Sequence, residues 1–497
     1  RLPTPDSRLP TPGLTMTSAY VLMPEIAVTV LAMLMLIFDA VLKEKHKSEL
    51  TWLALLGFAI AEALNLYEWG SGTISAYAGA MVLDNFTVFF NTLFLATALL
   101  VTLMAPAYLR ERALPFGEFY SLLSFAVLGM MFTAASTDLI TLFVAIELMV
   151  ISVYILAGLA RREKRSNEAI LKYFLLGAFA SAILVYGMSW LYGITGQTNL
   201  AKIAAFLEKA NLNDPLLLMT IGILVVGVGF KVALVPFHAW TPDAYEGAPT
   251  PVTAFMSVGP KAAAFAALLR IFVTAMGPAQ PDYSLLFGAL AAATMTLGNL
   301  IAIQQTNIKR MLAYSSIAHS GYILVGMAAF RPGDSNDLVT GVTALLFYLF
   351  VYTFMTLGAF AIVAYVQAGQ TQAETFDDYR ALGRRAPLTA LAMAIFMLSL
   401  TGVPPLAGFM GKVYLILSAV HSGMTWLAII IVLNSAISAY YYLRVVVVMY
   451  MSDNTERVPL YRSPFIHTML AAAALATFFF GVFADPFMRF AQGASGL

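Results

Sequence analysis

Fourteen apolar runs, separated by short polar joins, take up nearly the whole chain. They lie at 18–42, 50–68, 82–109, 117–135, 137–160, 168–195, 214–240, 249–276, 283–303, 307–330, 337–368, 387–421, 423–450 and 465–490. About 20 apolar residues suffice to carry a helix across a hydrocarbon core of about 30 Å. Inside that core the backbone has no water to bond, so each run must satisfy its own amides and carbonyls as a helix. The expected fold is an all-α polytopic membrane protein with about 14 transmembrane helices. Composition agrees: 11% of residues are charged and 60% hydrophobic, whereas soluble chains carry about 25% charged residues.

The stretch NLAKIAAFLEKAN (199–211) is too short and too polar to span, and reads as an amphipathic helix at the interface. Residues 1–15 contain RLPTP twice and precede Met16. They read as a leader, non-native or disordered, and residues 16–497 as a single membrane domain.

Charge placement tests the span map. Joins after odd-numbered spans hold sixteen basic residues, from Lys43, Lys45 and Lys47 to Arg457 and Arg462, and those after even-numbered spans hold Lys202, Lys209 and Arg331. By the positive-inside rule the sixteen-residue side is cytoplasmic, which puts both termini outside.

Several chemistries are excluded. The chain has no cysteine, so it holds no disulfide, thiolate zinc site or iron–sulfur cluster. Its five histidines (His46, His238, His319, His421, His467) show no metal-ligand spacing. No dinucleotide, P-loop or nucleophile-elbow motif occurs. A net charge of +1 gives no case for nucleic acid.

Two spans are irregular. The seventh carries Val235-Pro236-Phe237-His238 after Lys231, and the twelfth carries Pro404-Pro405, with Lys412 seven residues on. Proline removes a donor and clashes with the preceding turn, so both helices should break. The breaks lie five spans apart. A repeat of five helices must insert its second copy upside down, which predicts inverted repeats of helices 4–8 (117–276) and 9–13 (283–450), followed by a last helix (465–490). Discontinuous helices at matching positions point to an ion site at mid-membrane.

Four ionisable residues sit too deep to reach an interface: Glu147, Lys231, Lys261 and Lys412, with His319 similarly central. Arg270, Arg444 and Lys172 lie near enough to helix ends to snorkel. Each central charge costs about 2.5–3.5 kcal/mol or more. A structural ion pair of Glu147 with Lys231 accounts for two of them, and a hydrogen-bonded helix contact accounts for His319. Lys261 and Lys412 have no mid-membrane carboxylate left to pair with. Low dielectric disfavours a charged lysine and a neighbouring carboxylate favours it, so moving the carboxylate loads or unloads the lysine. Such groups titrate as a coupled set, and a histidine suits a relay position.

The motifs KVALVPFHAWTPDAYEGAPTPVTAF (231–255), NIKRMLAYSSIAHSGY (307–322) and SLTGVPPLAGFMGK (399–412) carry a family resemblance. The chain resembles subunit N of bacterial NADH-quinone oxidoreductase, respiratory complex I, over nearly its whole length. Lysine at 412 sets it apart from the subunit-M relatives, which place a glutamate there. The resemblance implies fourteen helices, breaks in the seventh and twelfth, and one proton path. That path would use Glu147, Lys231, Lys261, His319 and Lys412, with Lys172 toward the cytoplasm and His238 at the first break. It also implies an inner-membrane location and subunits K and M as neighbours. NADH, FMN, iron–sulfur clusters and a quinone would be bound by other subunits, with no cofactor or metal on this chain. A subunit of a cation/proton antiporter and a non-pumping scaffold are the alternatives.

Overall fold

The computed structural model describes residues 19–333, 339–369, 373–452 and 463–496. The leader reading of residues 1–15, and the basic residues Arg457 and Arg462, lie outside them. The helices are α1 (Met23–Val41), α2 (Leu50–Tyr67), α3 (Asn85–Glu111), α4 (Phe116–Ala135), α5 (Leu139–Ala157), α6 (Lys164–Thr195) and α7 (Leu200–Leu207). Next come α8 (Pro215–Lys231), α9 (Trp240–Gly247), α10 (Thr250–Leu269), α11 (Gln280–Ile303), α12 (Ile308–Ala328) and α13 (Gly341–Gly369). The chain finishes with α14 (Leu382–Arg385), α15 (Pro387–Thr401), α16 (Ala407–His421), α17 (Thr425–Met451), α18 (Pro464–Val482) and α19 (Ala484–Ala494).

Eleven helices among the described residues are long and apolar enough to cross a membrane. The other three expected spans are broken or rich in polar residues. The seventh is split into α8 and α9, and the twelfth into α15 and α16. The tenth, α12, has 21 residues, but Ser315, Ser316, His319 and Tyr322 make it too polar to register as a greasy span. It is buried on nearly every side, so those polar groups face protein rather than lipid.

Two expectations need correction. The last run is two helices: α18 ends at Val482, and α19 is a separate amphipathic helix with Met488, Ala491 and Ala494 buried. Asp485 and Arg489, paired at 3.4 Å on its exposed face, make a transmembrane course for α19 costly. The chain is nearly all helical, as expected, with one small exception. Ile74–Ala76 (β1) and Met81–Leu83 (β2) form a small antiparallel hairpin between α2 and α3. Arg270, finally, does not snorkel: it is buried, with its guanidinium 2.9 Å from the Asp84 carboxylate. As expected, α7 is a short helix outside the spans, with Leu200, Ile203 and Leu207 buried.

The innermost helices are α10, wholly enclosed, and α13, nearly so. They pack against each other, and α13 also touches α3, α12, α15, α16 and α18. Small residues let other pairs close up. A Cβ on Gly321 of α12 would meet the Met295 amide nitrogen of α11 at 2.5 Å, so this contact admits only glycine.

Two similar backbone ties stand at opposite faces. At the start of α5, Leu139 N donates to Thr198 O and Leu200 N to Thr137 O, bridging Asp138 to Asn199. At the start of α12, Ile308 N donates to Glu374 O and Phe376 N to Thr306 O, bridging Asn307 to Thr375. In each, a side chain caps the helix: Asp138 accepts from Ile140 N, and Asn307 accepts from Arg310 N.

Candidate functional site

Each helix break frees backbone carbonyls, and the two breaks dispose of them differently. In the second, Pro404 and Pro405 occupy the positions whose amides would bond the carbonyls of Leu400 and Thr401. Lys412 Nζ takes both instead, at 3.1 Å and 2.8 Å. Gly402, at φ +92°, turns the chain there, and a Cβ on it would come 3.0 Å from Lys412 Cδ. In the first, Phe230 O accepts from Trp240 Nε1 at 3.1 Å as well as from the Ala233 amide at 3.1 Å. Lys231, the last residue of α8, donates to Ser181 Oγ of α6 at 2.8 Å, and so is not bonded to a freed carbonyl as Lys412 is. The peptide bonds Val235–Pro236 and Pro404–Pro405 are both cis.

Glu147 and Lys231 come together through that serine. The ammonium stands 3.8 Å from Glu147 Oε1, and Ser181 Oγ donates to the same oxygen at 2.5 Å. A hydroxyl between acid and base can accept from one and donate to the other, which makes it a proton bridge as well as a spacer.

Lys261 follows a third proline. Pro260 lies inside α10, and the Met256 carbonyl it leaves free accepts from Tyr245 Oη at 3.1 Å, so the helix continues. Lys261 Nζ donates to Ser316 O at 2.7 Å and to Ser316 Oγ at 2.5 Å. Tyr352 Oη donates to the same hydroxyl at 2.9 Å. One turn along α12 from Ser316, His319 has both ring nitrogens engaged, Nδ1 with Tyr348 Oη at 2.8 Å and Nε2 with Tyr442 Oη at 3.0 Å. Its ring lies 5.1 Å from that of Tyr352 and 5.5 Å from that of Tyr322. The Lys412 ammonium sits 4.8 Å over the Tyr322 ring. Lys261, His319 and Lys412 are therefore joined by hydroxyls and aromatic faces.

Lys261, His319 and Lys412 are buried, with 3%, 1% and 4% of their surface exposed. Neither Lys261 nor Lys412 has a carboxylate partner among the described residues. No side-chain hydrogen bond bridges Lys231 to Lys261 among the described residues.

The remaining two candidates lie apart from this row. Lys172 is 2.7 Å from both Glu168 and Asp243, on the basic face, in a network with Arg310 and Glu246. His238 sits in the first break with a buried Nδ1 that has no hydrogen-bond partner among the described residues. The sequence reading missed Ser181, Ser316, Tyr322, Tyr348, Tyr352 and Tyr442. A signal was present: Ser316, His319 and Tyr322 recur at helical spacing on α12, and Tyr348 and Tyr352 stand four apart on α13. Lys309, which the charge count placed in a join, is buried and donates to the carbonyls of Glu246 and Ala248.

Lys412→Met should strand two carbonyls and cost about 1–3 kcal/mol, read as a lower melting temperature of the assembled complex. Lys231→Ala should shift it less, because it strands no backbone carbonyl and Ser181 Oγ still donates to Glu147.

Residues 136–438 match the family model described as NADH:quinone oxidoreductase/Mrp antiporter, TM. NADH-quinone oxidoreductase subunit N of Trichlorobacter lovleyi is 46% identical over 477 residues, 95% of this chain and 96% of that protein. Subunit N 1 of Herpetosiphon aurantiacus is 45% identical, with 93% of each covered. Among solved structures, a chain of respiratory complex I from Thermus thermophilus with bound aureothin superimposes with TM-score 0.78 at 34% identity, over 94% of this chain and 98% of that one. A chain of the Mrp complex from Dietzia sp. DQ12-45-1b shares the fold, with TM-score 0.81 at 22% identity over 97% of each. Sequence, fold and the matched span agree: the chain belongs to the subunit N family of NADH-quinone oxidoreductase, within the NADH:quinone oxidoreductase/Mrp antiporter membrane proteins.

Proposed function

We propose that this chain is a proton-translocating membrane-arm subunit of an NADH-quinone oxidoreductase. The observation that carries the reading is the row of buried Lys261, His319 and Lys412, joined by Ser316 and tyrosines, beside the Glu147–Ser181–Lys231 bridge. Glu147 and Lys231 form the input pair, Lys261 and His319 relay along the midplane, and Lys412 loads or releases toward the outside. Lys172 feeds the row from the cytoplasmic side, and His238 serves the first break. Proton transfer needs donors and acceptors within about 2.6–3.2 Å or one water apart, and a bridging water would serve between Lys231 and Lys261.

NADH, FMN, iron–sulfur clusters and the quinone belong to other subunits, with no redox centre on this chain; subunits K and M are its neighbours. It lies in the bacterial inner membrane with both termini outside. The fourth to eighth spans (117–276) and the ninth to thirteenth (283–450) form inverted repeats, a reading supported by the two similar ties at opposite faces and by a proline break in each half. These repeats are units of a single membrane domain of residues 16–497.

Lys261→Met, in vesicles whose complex is verified as assembled, should lower NADH-driven proton pumping by about tenfold or more. Wild-type pumping in that variant would leave a scaffold. If wild-type pumping disappears when choline replaces sodium, the cation antiporter reading takes over.

A further inference from the structure

A second group of buried acids lies outside the row, where α1, α2 and α3 meet at the face opposite the basic one. Glu25 is on the first turn of α1 and Glu68 caps the end of α2. Glu62 and Asn65 lie on the preceding turns of α2, and Asn91 and Thr92 face them from the second turn of α3. Asn91 Nδ2 donates to Glu25 Oε1 at 2.9 Å, Glu68 lies within electrostatic reach of Glu25, and Thr92 and Asn65 face the Glu62 carboxyl. Glu25, Asn65, Glu68 and Asn91 are at most 2% exposed.

Glu25 Oε2, Glu62 Oε2, Glu68 Oε1, Asn65 Oδ1 and Asn91 Oδ1 are all buried without a hydrogen-bond partner among the described residues. All five are acceptor oxygens, so what the cluster lacks is hydrogen. Buried polar atoms are rarely left this way, and carboxylates sharing a site cannot all ionise.

The surrounding charges supply no relief. On the elements packed against these helices, Arg270 is held by Asp84 and Arg489 by Asp485. Lys261 is bonded to Ser316, and Lys47 is held by Asp39 and Glu44 at the far end of α1. Glu118 of α4 pairs with Arg161, also at the far end. Tyr20 bonds Ser71. No group of three or more acidic or histidine side chains among the described residues is spaced to hold a metal ion.

The geometry points to a proton-binding site formed by Glu25, Glu62 and Glu68, separate from the central row, whose ligand is the proton. A proton on Glu25 supplies a donor, and rotation of the Asn91 amide, whose oxygen and nitrogen are interchangeable in shape, turns its oxygen to accept it. Glu62, partly exposed, connects the cluster to its surroundings.

The test is pH-difference infrared spectroscopy on the purified intact complex, comparing wild type with Glu25→Gln and Glu62→Gln. NADH:quinone activity serves as the assembly control. The expected result is a protonated-carboxyl stretch in wild type at neutral pH that disappears as pH rises. It should lose the intensity of one carboxyl in the variants and be unchanged when choline replaces sodium. Superimposable spectra of wild type and an assembled variant would overturn the proposal. A band that appears only when sodium is removed would overturn it too, making the site one for a monovalent cation. Glu62, being less enclosed, keeps the test open if Glu25→Gln does not assemble.

Discussion

Lys231→Ala is expected to cut NADH-driven proton pumping by about a hundredfold, the scale on which a positioned acid or base acts, while the complex stays assembled. The substitution removes the only base hydrogen-bonded to Ser181 among the described residues and leaves Glu147, whose side chain is 26% exposed. Ser181 Oγ still donates to that carboxylate, which is why assembly should survive. Pumping relative to NADH oxidation, measured in vesicles containing equal amounts of intact complex, separates the two effects. Pumping and turnover both at wild-type levels would make the Glu147–Ser181–Lys231 bridge a structural contact and nothing more.

Arg270→Ala should act on the fold instead. The guanidinium lies 3.0 Å from Asp84 Oδ1 and 3.1 Å from Thr87 Oγ1, donates to Ala134 O at 3.0 Å, and stacks 4.4 Å over Phe86. It therefore ties the last turn of the eighth span to α3 and α4. Removing one partner of a buried pair costs about 3–5 kcal/mol, because the other charge stays behind. The expected outcome is a sharp fall in assembled complex and in its melting temperature. Arg270→Met combined with Asp84→Asn should recover most of the loss, because it removes both charges and keeps an acceptor for Thr87 N at the start of α3. No recovery would mean that the charge pair is not what holds this corner.

The two predictions separate kinds of buried charge that look alike in a sequence. Arg270 and Lys231 are both lone basic residues in apolar runs. Arg270 finds a fixed carboxylate and satisfies its donors in one place. Lys231 shares a hydroxyl with an acid 3.8 Å away, and Lys412 has only carbonyls and an aromatic face. Lys231 thus has a proton-carrying hydroxyl between it and its acid, and Lys412 has no carboxylate partner among the described residues.

How much was legible follows from the same physics. The spans, the two proline breaks and the depth of Glu147, Lys231, Lys261, His319 and Lys412 could all be read along the chain. A bilayer forces local hydrogen bonding and penalises every isolated charge, so membrane depth is written in one dimension. The boundary between α18 and α19 was lost because phenylalanine and methionine make the amphipathic tail look greasy. Which groups touch was decided only by the tertiary structure. Ser181 meets Glu147 because α6 packs beside α5, and Ser316 meets Lys261 because α12 lies against α10. The fate of Arg270 depended on Asp84, 186 residues earlier in the chain. Periodicity ranks residues by depth and face, but a hydrogen bond forms within about 3 Å, and only the packing of helices far apart in sequence sets distances that short.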